Sequence, residues 1–178
     1  MKEKSTMLTT ERLVLKGYEE SDRDAVIALL ENPEITKTFM VPDFESREQA
    51  DALFNRLMEI SKRPDRIEYG VYLDSKLIGF VNDCGYEDGA IEIGYVIDPA
   101  YRGKGYAPEA VRAVIAEQFR MGYPRVTAGY FEENPASRRV MEKCEMHPID
   151  KVSDDEYRGA VHRCYYMAID APLDGAAQ

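Results

Sequence analysis

The stretch that decides the fold runs from Glu92 to Ala110 and reads EIGYVIDPAYRGKGYAPEA. Its first residues are rich in β-branched and aromatic side chains, which predicts a strand. Gly103 and Gly105 follow in a short turn, and an apolar stripe at helical spacing begins at Ala107. We therefore expect a strand, a glycine-containing turn and a helix in direct succession.

The turn has the properties of an anion-binding site. Its two glycines can adopt positive φ and let a ligand approach the backbone. The amides at the start of the helix lack intrahelical partners, and Arg102 and Lys104 add positive charge. The spacing is that of neither the P-loop nor the dinucleotide fingerprint. The sequence therefore predicts a phosphate or diphosphate site outside those two nucleotide-binding classes.

The rest of the chain predicts a mixed α/β order. Strands are expected at residues 12–16, 67–73, 77–84, 91–97, 125–131, 149–152 and 160–169, and helices at 25–30, 46–63, 107–121 and 135–144. The short connections between the second, third and fourth strands predict an antiparallel meander. Residues 37–44 are too apolar for a purely solvated loop and are expected to line a pocket. One domain is expected over residues 8–170, with a flexible tail at 171–178.

Composition narrows the possible functions. A chain of 178 residues can bury a core of its own, and its net charge of -10 disfavours nucleic acid as a partner. The sequence contains neither an apolar run of membrane-spanning length nor a secretory signal, so we expect a cytoplasmic protein without a membrane partner. Three widely spaced cysteines indicate neither a disulfide framework nor a metal site, and no metal is expected.

The turn also carries a family resemblance. Arg102-x-x-Gly105-x-Ala107 resembles the acyl-CoA signature, Q/R-x-x-G-x-G/A, of the GNAT N-acetyltransferases. The segment from Asn134 to Lys143 resembles the next helix of that superfamily, as does the order of elements. The branch it most resembles acetylates the N-terminal residues of ribosomal proteins. The resemblance implies an α/β (α+β) domain with a mostly antiparallel central sheet, splayed between its fourth and fifth strands and flanked by helices on both faces.

The resemblance implies acetyl-CoA as the cosubstrate. Its diphosphate would lie on the turn amides, and its pantetheine arm would pair with the exposed backbone edge of the preceding strand. The expected cofactor-binding residues are Tyr95, Val96, Ile97, Arg102, Gly103, Lys104, Gly105, Tyr106, Ala107 and Asn134. Asn134 is equally well explained as an ordinary helix N-cap before Pro135.

Three residues are candidates for catalysis. A backbone amide near Val96 is the expected donor to the carbonyl oxygen, since a rigid strand edge can aim an N–H at developing charge. Glu92 matches a position that serves as general base in some family members, and a structural carboxylate is the alternative. Relatives often carry an acidic Tyr where this chain has Met141, so the Ser137 hydroxyl, one turn earlier, is the expected substitute.

The acceptor is expected to be a primary amine, either a peptide N-terminus or a small cationic amine. It would enter over residues 39–44, 130–133 and the acidic segment 154–157, which is expected to be a turn. Two alternatives stay open at this point. One is a small-molecule acetyltransferase for a polyamine, aminoglycoside or amino acid; the other, suggested by Met141, is a CoA-binding module without catalysis. A homodimer is common among such relatives.

Overall fold

The structure is a computed structural model that describes residues 2–172, so the predicted tail lies outside the described residues from position 173 onward. The strands are β1 (Met7–Thr9), β2 (Leu13–Lys16), β3 (Glu68–Leu73), β4 (Lys76–Glu87), β5 (Ala90–Ile97), β6 (Arg125–Phe131), β7 (His147–Tyr157) and β8 (Ala160–Asp170). The helices are α1 (Arg23–Glu31), α2 (Pro33–Thr36), α3 (Arg47–Ser61), α4 (Tyr106–Met121) and α5 (Pro135–Lys143).

The strands of the described range form one open sheet in the order β1-β2-β3-β4-β5-β6-β8-β7. Neighbouring strands are antiparallel except for β5 and β6, which are parallel. Alternating residues of the same strands face two apolar cores. One core lies under α4 and α5, and the other lies under α1, α2 and α3. The predicted α/β domain with a mostly antiparallel sheet and helices on both faces is confirmed.

The meander β3-β4-β5 follows from its turns. Asp74 and Ser75 have φ of 47° and 67°, and Asp88 and Gly89 have φ of 51° and 78°. Two successive residues at positive φ make the type of two-residue turn whose twist matches that of antiparallel strands. Asp and Gly tolerate this conformation better than most residues, so the local sequence specifies both hairpins.

One predicted turn is wrong. Residues 154–157, expected as an acidic turn, belong to β7, and the reversal occurs at Arg158 and Gly159, with φ of 51° and 76°. Pairing with β8 explains this extension, because Arg163 holds Asp154 across the two strands at 2.9 Å. The first helix ends at Glu31, before Pro33, and Pro33 begins the short helix α2, where its missing N–H costs nothing.

Helix α5 ends without the glycine that commonly follows a helix. Glu145 occupies that position with φ of 63°, and the Met146 amide donates to the Met141 carbonyl at 3.1 Å. A left-handed residue other than glycine costs about 1–2 kcal/mol. The helix end is therefore closed in the usual way at some cost in stability.

Glu68, the first residue of β3, is a buried ionisable residue. The Glu68 carboxylate is 4% exposed and accepts a 2.6 Å hydrogen bond from the Tyr18 hydroxyl. Burial raises the pKa of Glu68 to about 8, while Lys4 and Arg66 nearby favour the charged form. The carboxyl is therefore neutral in the folded protein over a range in which an exposed Glu is ionised.

Stability should fall with rising pH because of this one group. An unfolded Glu loses its proton near pH ~4.3. Between that pH and about 8 the folded state retains a proton that the unfolded state has lost, so folding becomes less favourable as pH rises. Glu68→Gln should remove this dependence, which amounts to at most about 1.4 kcal/mol per pH unit. Urea unfolding at pH 5, 7 and 9 measures this dependence, with the exposed Glu59→Gln as control. The same change of unfolding free energy with pH in wild type and Glu68→Gln would contradict the prediction.

Candidate active site

A gap opens in the middle of the sheet. Strands β5 and β6 pair only from Ala90 with Arg125 to Glu92 with Thr127. Beyond that point β6 continues along β8 as far as Phe131, and β5 continues along β4 as far as Ile97. Among the strands of the described chain, none pairs with the side of β5 that faces β6 from residue 93 to residue 97. An exposed strand edge of this kind can bind an extended ligand by backbone hydrogen bonds.

The direction of each β5 amide follows from one hydrogen bond. The Asp98 amide donates to the Ile78 carbonyl at 2.8 Å, across the β4 side of the strand. Because backbone groups alternate along a strand, Val96 also faces β4. A Cβ built on Gly79 of β4 would lie 2.1 Å from the Val96 carbonyl oxygen, which agrees with that direction. The amides that face the gap therefore belong to Ile93, Tyr95 and Ile97.

This geometry corrects the expected oxyanion donor. The Val96 amide points into the β4–β5 ladder, and it cannot reach a ligand in the gap without breaking that ladder. The amides of Tyr95 and Ile97, on either side of it, do point into the gap. The Ile97 carbonyl already accepts a hydrogen bond from Arg102 Nε at 3.3 Å. The backbone groups that remain for a ligand are those of Tyr95 and the Ile97 amide.

The gap continues into a cleft of about 370 Å³ between β5, the glycine-containing turn and α5. Ten of the residues predicted from the sequence line it: Tyr95, Val96, Ile97, Arg102, Gly103, Gly105, Tyr106, Ala107, Asn134 and Ser137. Glu92 and Lys104 do not. The cleft also reaches Gly94 and Phe39, which lie toward the other face of the sheet.

The turn presents free amides to the cleft. Gly103 and Gly105 have φ of 75° and 83°, as their position required. The Arg102 amide donates to the Pro99 carbonyl at 3.3 Å, so this amide, unlike the following ones, already has a partner. Within residues 2–172, no hydrogen bond uses an amide of residues 103–107 as donor. These amides, at the start of α4, fit the diphosphate of acetyl-CoA.

The cations around the cleft differ from those expected. Arg102 folds back toward β5 and lies 3.6 Å from Glu34, while the Lys104 ammonium lies over the Tyr101 ring at 5.6 Å. Arg139 and Lys143 of α5 line the cleft together with Arg102. Their i, i+4 spacing, which puts two cations on one face of the helix, was the signal in the sequence that could have identified them.

Helix α5 places a hydroxyl in the cleft. Asn134 Oδ1 accepts from the Ser137 amide at 3.2 Å, so Asn134 is an N-cap, although it also lines the cleft. Ser137 Oγ lies 2.8 Å from the Tyr95 hydroxyl, and that hydroxyl also donates to the Ser137 carbonyl at 2.9 Å. Burial raises the pKa of Tyr95. Met141 is wholly buried in the core and does not reach the cleft.

Glu92 lies on the face of β5 that it shares with Gly94, which is opposite to the face of Tyr95. Burial raises its pKa; Lys151 opposes this rise, and Asp155 adds to it. A Cβ built on Gly94 would lie 3.0 Å from the Phe39 ring and 3.1 Å from Asn82 Oδ1, so these two side chains cover Gly94 on this face. Because Gly94 and Phe39 line the cleft, Glu92 lies beside its far end and not within it.

The three segments expected around the acceptor do meet. The Tyr157 hydroxyl donates to the Phe39 carbonyl at 3.3 Å, and Arg158 pairs with Asp43 at 2.6 Å. The Phe131 ring lies beside the Tyr157 ring, with centroids 6.4 Å apart. Residues 38 and 39 line the cleft, as predicted for the segment 37–44. Asp154 pairs with Arg163, and Glu133 contacts the His162 ring nitrogen, so part of the acidic group at this entrance already has partners.

Two further observations concern the described residues alone. No helix among them is long and apolar enough to cross a membrane. No cluster of three His, Cys, Asp or Glu side chains in this range could hold a metal ion.

Comparison with known proteins agrees with this geometry. A sequence model of the acetyltransferase (GNAT) domain matches residues 12–147. The chain is 30% identical over 142 residues to the uncharacterized N-acetyltransferase YoaA of Bacillus subtilis, covering 77% of this chain and 80% of that protein. It also superposes on a GNAT-family acetyltransferase from Bacillus anthracis with a TM-score of 0.80 and 28% identity, covering 92% and 98% of the two chains.

A third likeness concerns the fold. RimL, the ribosomal L7/L12 α-N-protein acetyltransferase crystallised with coenzyme A, superposes with a TM-score of 0.80 at 18% identity, covering 92% of this chain and 97% of that one. The predicted N-acetyltransferase is confirmed by the domain match and by the relatives. A strand edge open to a cleft, a turn of free amides and these matches lead to one conclusion: the chain belongs to the GNAT acetyltransferase family.

Proposed function

We propose that this protein transfers the acetyl group of acetyl-CoA to a primary amine, with a peptide N-terminus as the favoured acceptor. The observation that carries the proposal is the open edge of β5 beside a turn of free amides. This arrangement offers successive backbone groups to an amide-containing arm and then to a diphosphate. Titration calorimetry with acetyl-CoA and coenzyme A tests this binding directly, and no binding by the folded protein would refute the proposal.

Acetyl-CoA supplies an activated acyl group as a thioester. The Tyr95 and Ile97 amides face the gap, so one of them can donate a hydrogen bond to the acyl oxygen as charge develops on it. The Ser137 hydroxyl lies in the same cleft and can give a proton to the departing sulfur. For this step the Tyr95 hydroxyl turns its proton from the Ser137 carbonyl to Ser137 Oγ, which frees the Ser137 proton for the sulfur, and the Tyr95 proton replaces the one that Ser137 gives up. These roles use a rigid strand and the first turn of a capped helix, which keeps their geometry fixed.

Glu92 would act on the amine from the other side of the sheet. Its raised pKa makes it a better base near neutral pH than an exposed carboxylate. Since it lies beside the end of the cleft, the proton would pass from the amine to Glu92 through a water molecule or after the acceptor binds near Gly94.

The basicity of the amine supports the choice of acceptor. At the entrance, Asp43 and Asp154 are already paired with Arg158 and Arg163. An α-amino group, with a pKa of ~8, has a larger neutral fraction at pH 7 than an aliphatic amine near ~10, and it needs less help from a base. The fold likeness to RimL agrees with this choice.

Glu92→Gln should separate the acceptor classes. We expect kcat/KM to fall by about 100-fold or more for spermidine and by about 10-fold for N-terminal peptides, because the more basic amine depends more on a base. Thiol release at pH 7 measures both, and Glu59→Gln, which alters an exposed carboxylate on α3, is the control. Unchanged turnover of Glu92→Gln with both acceptors would contradict this role.

The same assay on the wild type distinguishes the alternatives. Faster acetylation of polyamines, aminoglycosides or free amino acids than of peptides would favour a small-molecule enzyme. Acetyl-CoA binding without transfer to any amine of the panel would identify a binding module instead.

A further inference from the structure

The anion-binding turn is held from outside by Arg12, which precedes β2. Arg12 Nη1 donates to the Lys104 carbonyl at 2.9 Å, across 92 residues of sequence. The guanidinium lies over the Tyr106 ring at 4.6 Å, and Nη2 would be 3.3 Å from a Cβ built on Gly105. One side chain therefore contacts three consecutive residues of the turn, on the side away from the cleft amides.

Glu109 completes the arrangement from the first turn of α4. Its carboxylate accepts from Arg12 Nε at 2.7 Å, from the Arg12 amide at 2.8 Å and from the Thr10 hydroxyl at 2.6 Å. Burial alone would raise the pKa of Glu109, but these hydrogen bonds outweigh it and hold the pKa below its usual range. The group is thus an ionised carboxylate within one helical turn of the amides that receive an anion.

An attraction to the diphosphate cannot be the reason for an ionised carboxylate at position 109, because the two negative charges repel each other. A contribution to the rigidity of the turn can be the reason. A turn with two glycines at positive φ has many accessible conformations, and ordering it on binding would cost conformational entropy. Contacts that order the turn in advance remove that cost from the binding step.

We infer that Arg12 and Glu109 form a brace, defined by these two side chains, that holds residues 104–106 in the conformation that binds the diphosphate of acetyl-CoA. Arg12 is then a positioning residue for the cosubstrate although it does not line the cleft. This inference rests on the proposed function, since it assigns the support of the same cofactor site.

Two substitutions distinguish a brace from a charge effect by the sign of the result. Glu109→Gln removes a negative charge near the anion, so a purely electrostatic role predicts tighter binding. A brace predicts weaker binding, because Gln cannot receive the Arg12 fork as a carboxylate does. Arg12→Lys retains the positive charge but loses the planar fork that reaches Lys104 and Glu109 together.

The experiment measures coenzyme A and acetyl-CoA affinity by titration calorimetry for wild type, Arg12→Lys and Glu109→Gln. We expect the Kd to rise about 10-fold in each variant, with KM for acetyl-CoA rising equally and kcat and the acceptor KM unchanged. Arg125→Lys is the matched control: Arg125 also makes a forked pair with a carboxylate and is 44% exposed, against 41% for Arg12. Its Kd should equal that of the wild type.

Hydrogen–deuterium exchange without ligand provides a second measurement that does not depend on binding. It is read at the hydrogen-bonded amides beside the turn, those of Tyr101, Arg102 and Glu109, because the amides of residues 103–107 are already free. If the brace orders the turn, both variants should exchange these amides faster than the wild type, and the amide exchange of the sheet should be the same in all three proteins. Tighter or equal binding by folded Glu109→Gln, or unaltered exchange in the turn, would overturn the inference. If wild type itself binds no coenzyme A, the proposed function fails, and the brace fails with it as support for a cofactor site.

Discussion

Replacing Gly105 by glutamate should weaken acetyl-CoA binding by about 100-fold or more. Gly105 has φ of 83°, a conformation that costs any L side chain about 1–2 kcal/mol, and a Cβ there meets Arg12 at 3.3 Å. The new carboxylate would also stand beside free amides that receive a diphosphate. Strain, displacement of the brace and repulsion all act against binding. Titration calorimetry with acetyl-CoA measures the loss.

A matched variant separates these local effects from general strain. Gly89, in the β4–β5 turn, has φ of 78° and no atom within 4 Å of a built Cβ. Gly89→Glu therefore imposes the same backbone cost and the same charge away from the cleft. It should lower the free energy of unfolding slightly and leave the Kd for acetyl-CoA unchanged. Equal affinities of Gly105→Glu and wild type would show that the turn does not hold the cosubstrate.

Gly79→Ala should be the most destabilising small substitution in the sheet. The added Cβ would lie 2.1 Å from the Val96 carbonyl oxygen and 3.1 Å from the Ile97 Cα. Both are backbone atoms, so no rotamer change can relieve the overlap, and β4 and β5 must separate. We expect the free energy of unfolding to fall by roughly 3 kcal/mol or more. Urea unfolding followed by far-ultraviolet circular dichroism measures it.

Gly85→Ala, on the same strand, is the control for this substitution. A Cβ on Gly85 meets no atom within 4 Å, and the change should alter stability by less than about 0.5 kcal/mol. Where Gly79→Ala remains folded, acetyl-CoA affinity should also fall, since the displaced residues carry the open edge. Equal stability of the two variants would mean that β5 has room to move at this point.

The elements of the site could be predicted because their signals are local. Gly103 and Gly105 allow positive φ, Pro108 and the apolar stripe after it favour a helix, and Gly122 ends it. Each of these preferences acts within a few residues. The order of strand, turn and helix therefore follows without tertiary information, whereas the residues expected to bind the cofactor are those that the family resemblance implied.

The direction of single groups could not be predicted in this way. Val96 was a reasonable oxyanion donor by position, but only the pairing of β5 with β4 determines which amides face the gap. Likewise Arg102 carries a charge suited to phosphate, and yet its side chain contacts Ile97 and Glu34. A one-residue change in alternation reverses which side of a strand a backbone group faces.

Local sequence specifies the order of elements and a turn that can receive an anion, because turn chemistry and hydrophobic periodicity are properties of neighbouring residues. The family was indicated separately, by the resemblance of that turn to the acyl-CoA signature. The tertiary structure alone decided that β5 and β6 diverge after Glu92, that Tyr95 meets Ser137, and that Arg12 supports a turn 92 residues away. Such contacts join distant segments, and their free energy arises only when packing has brought the segments together.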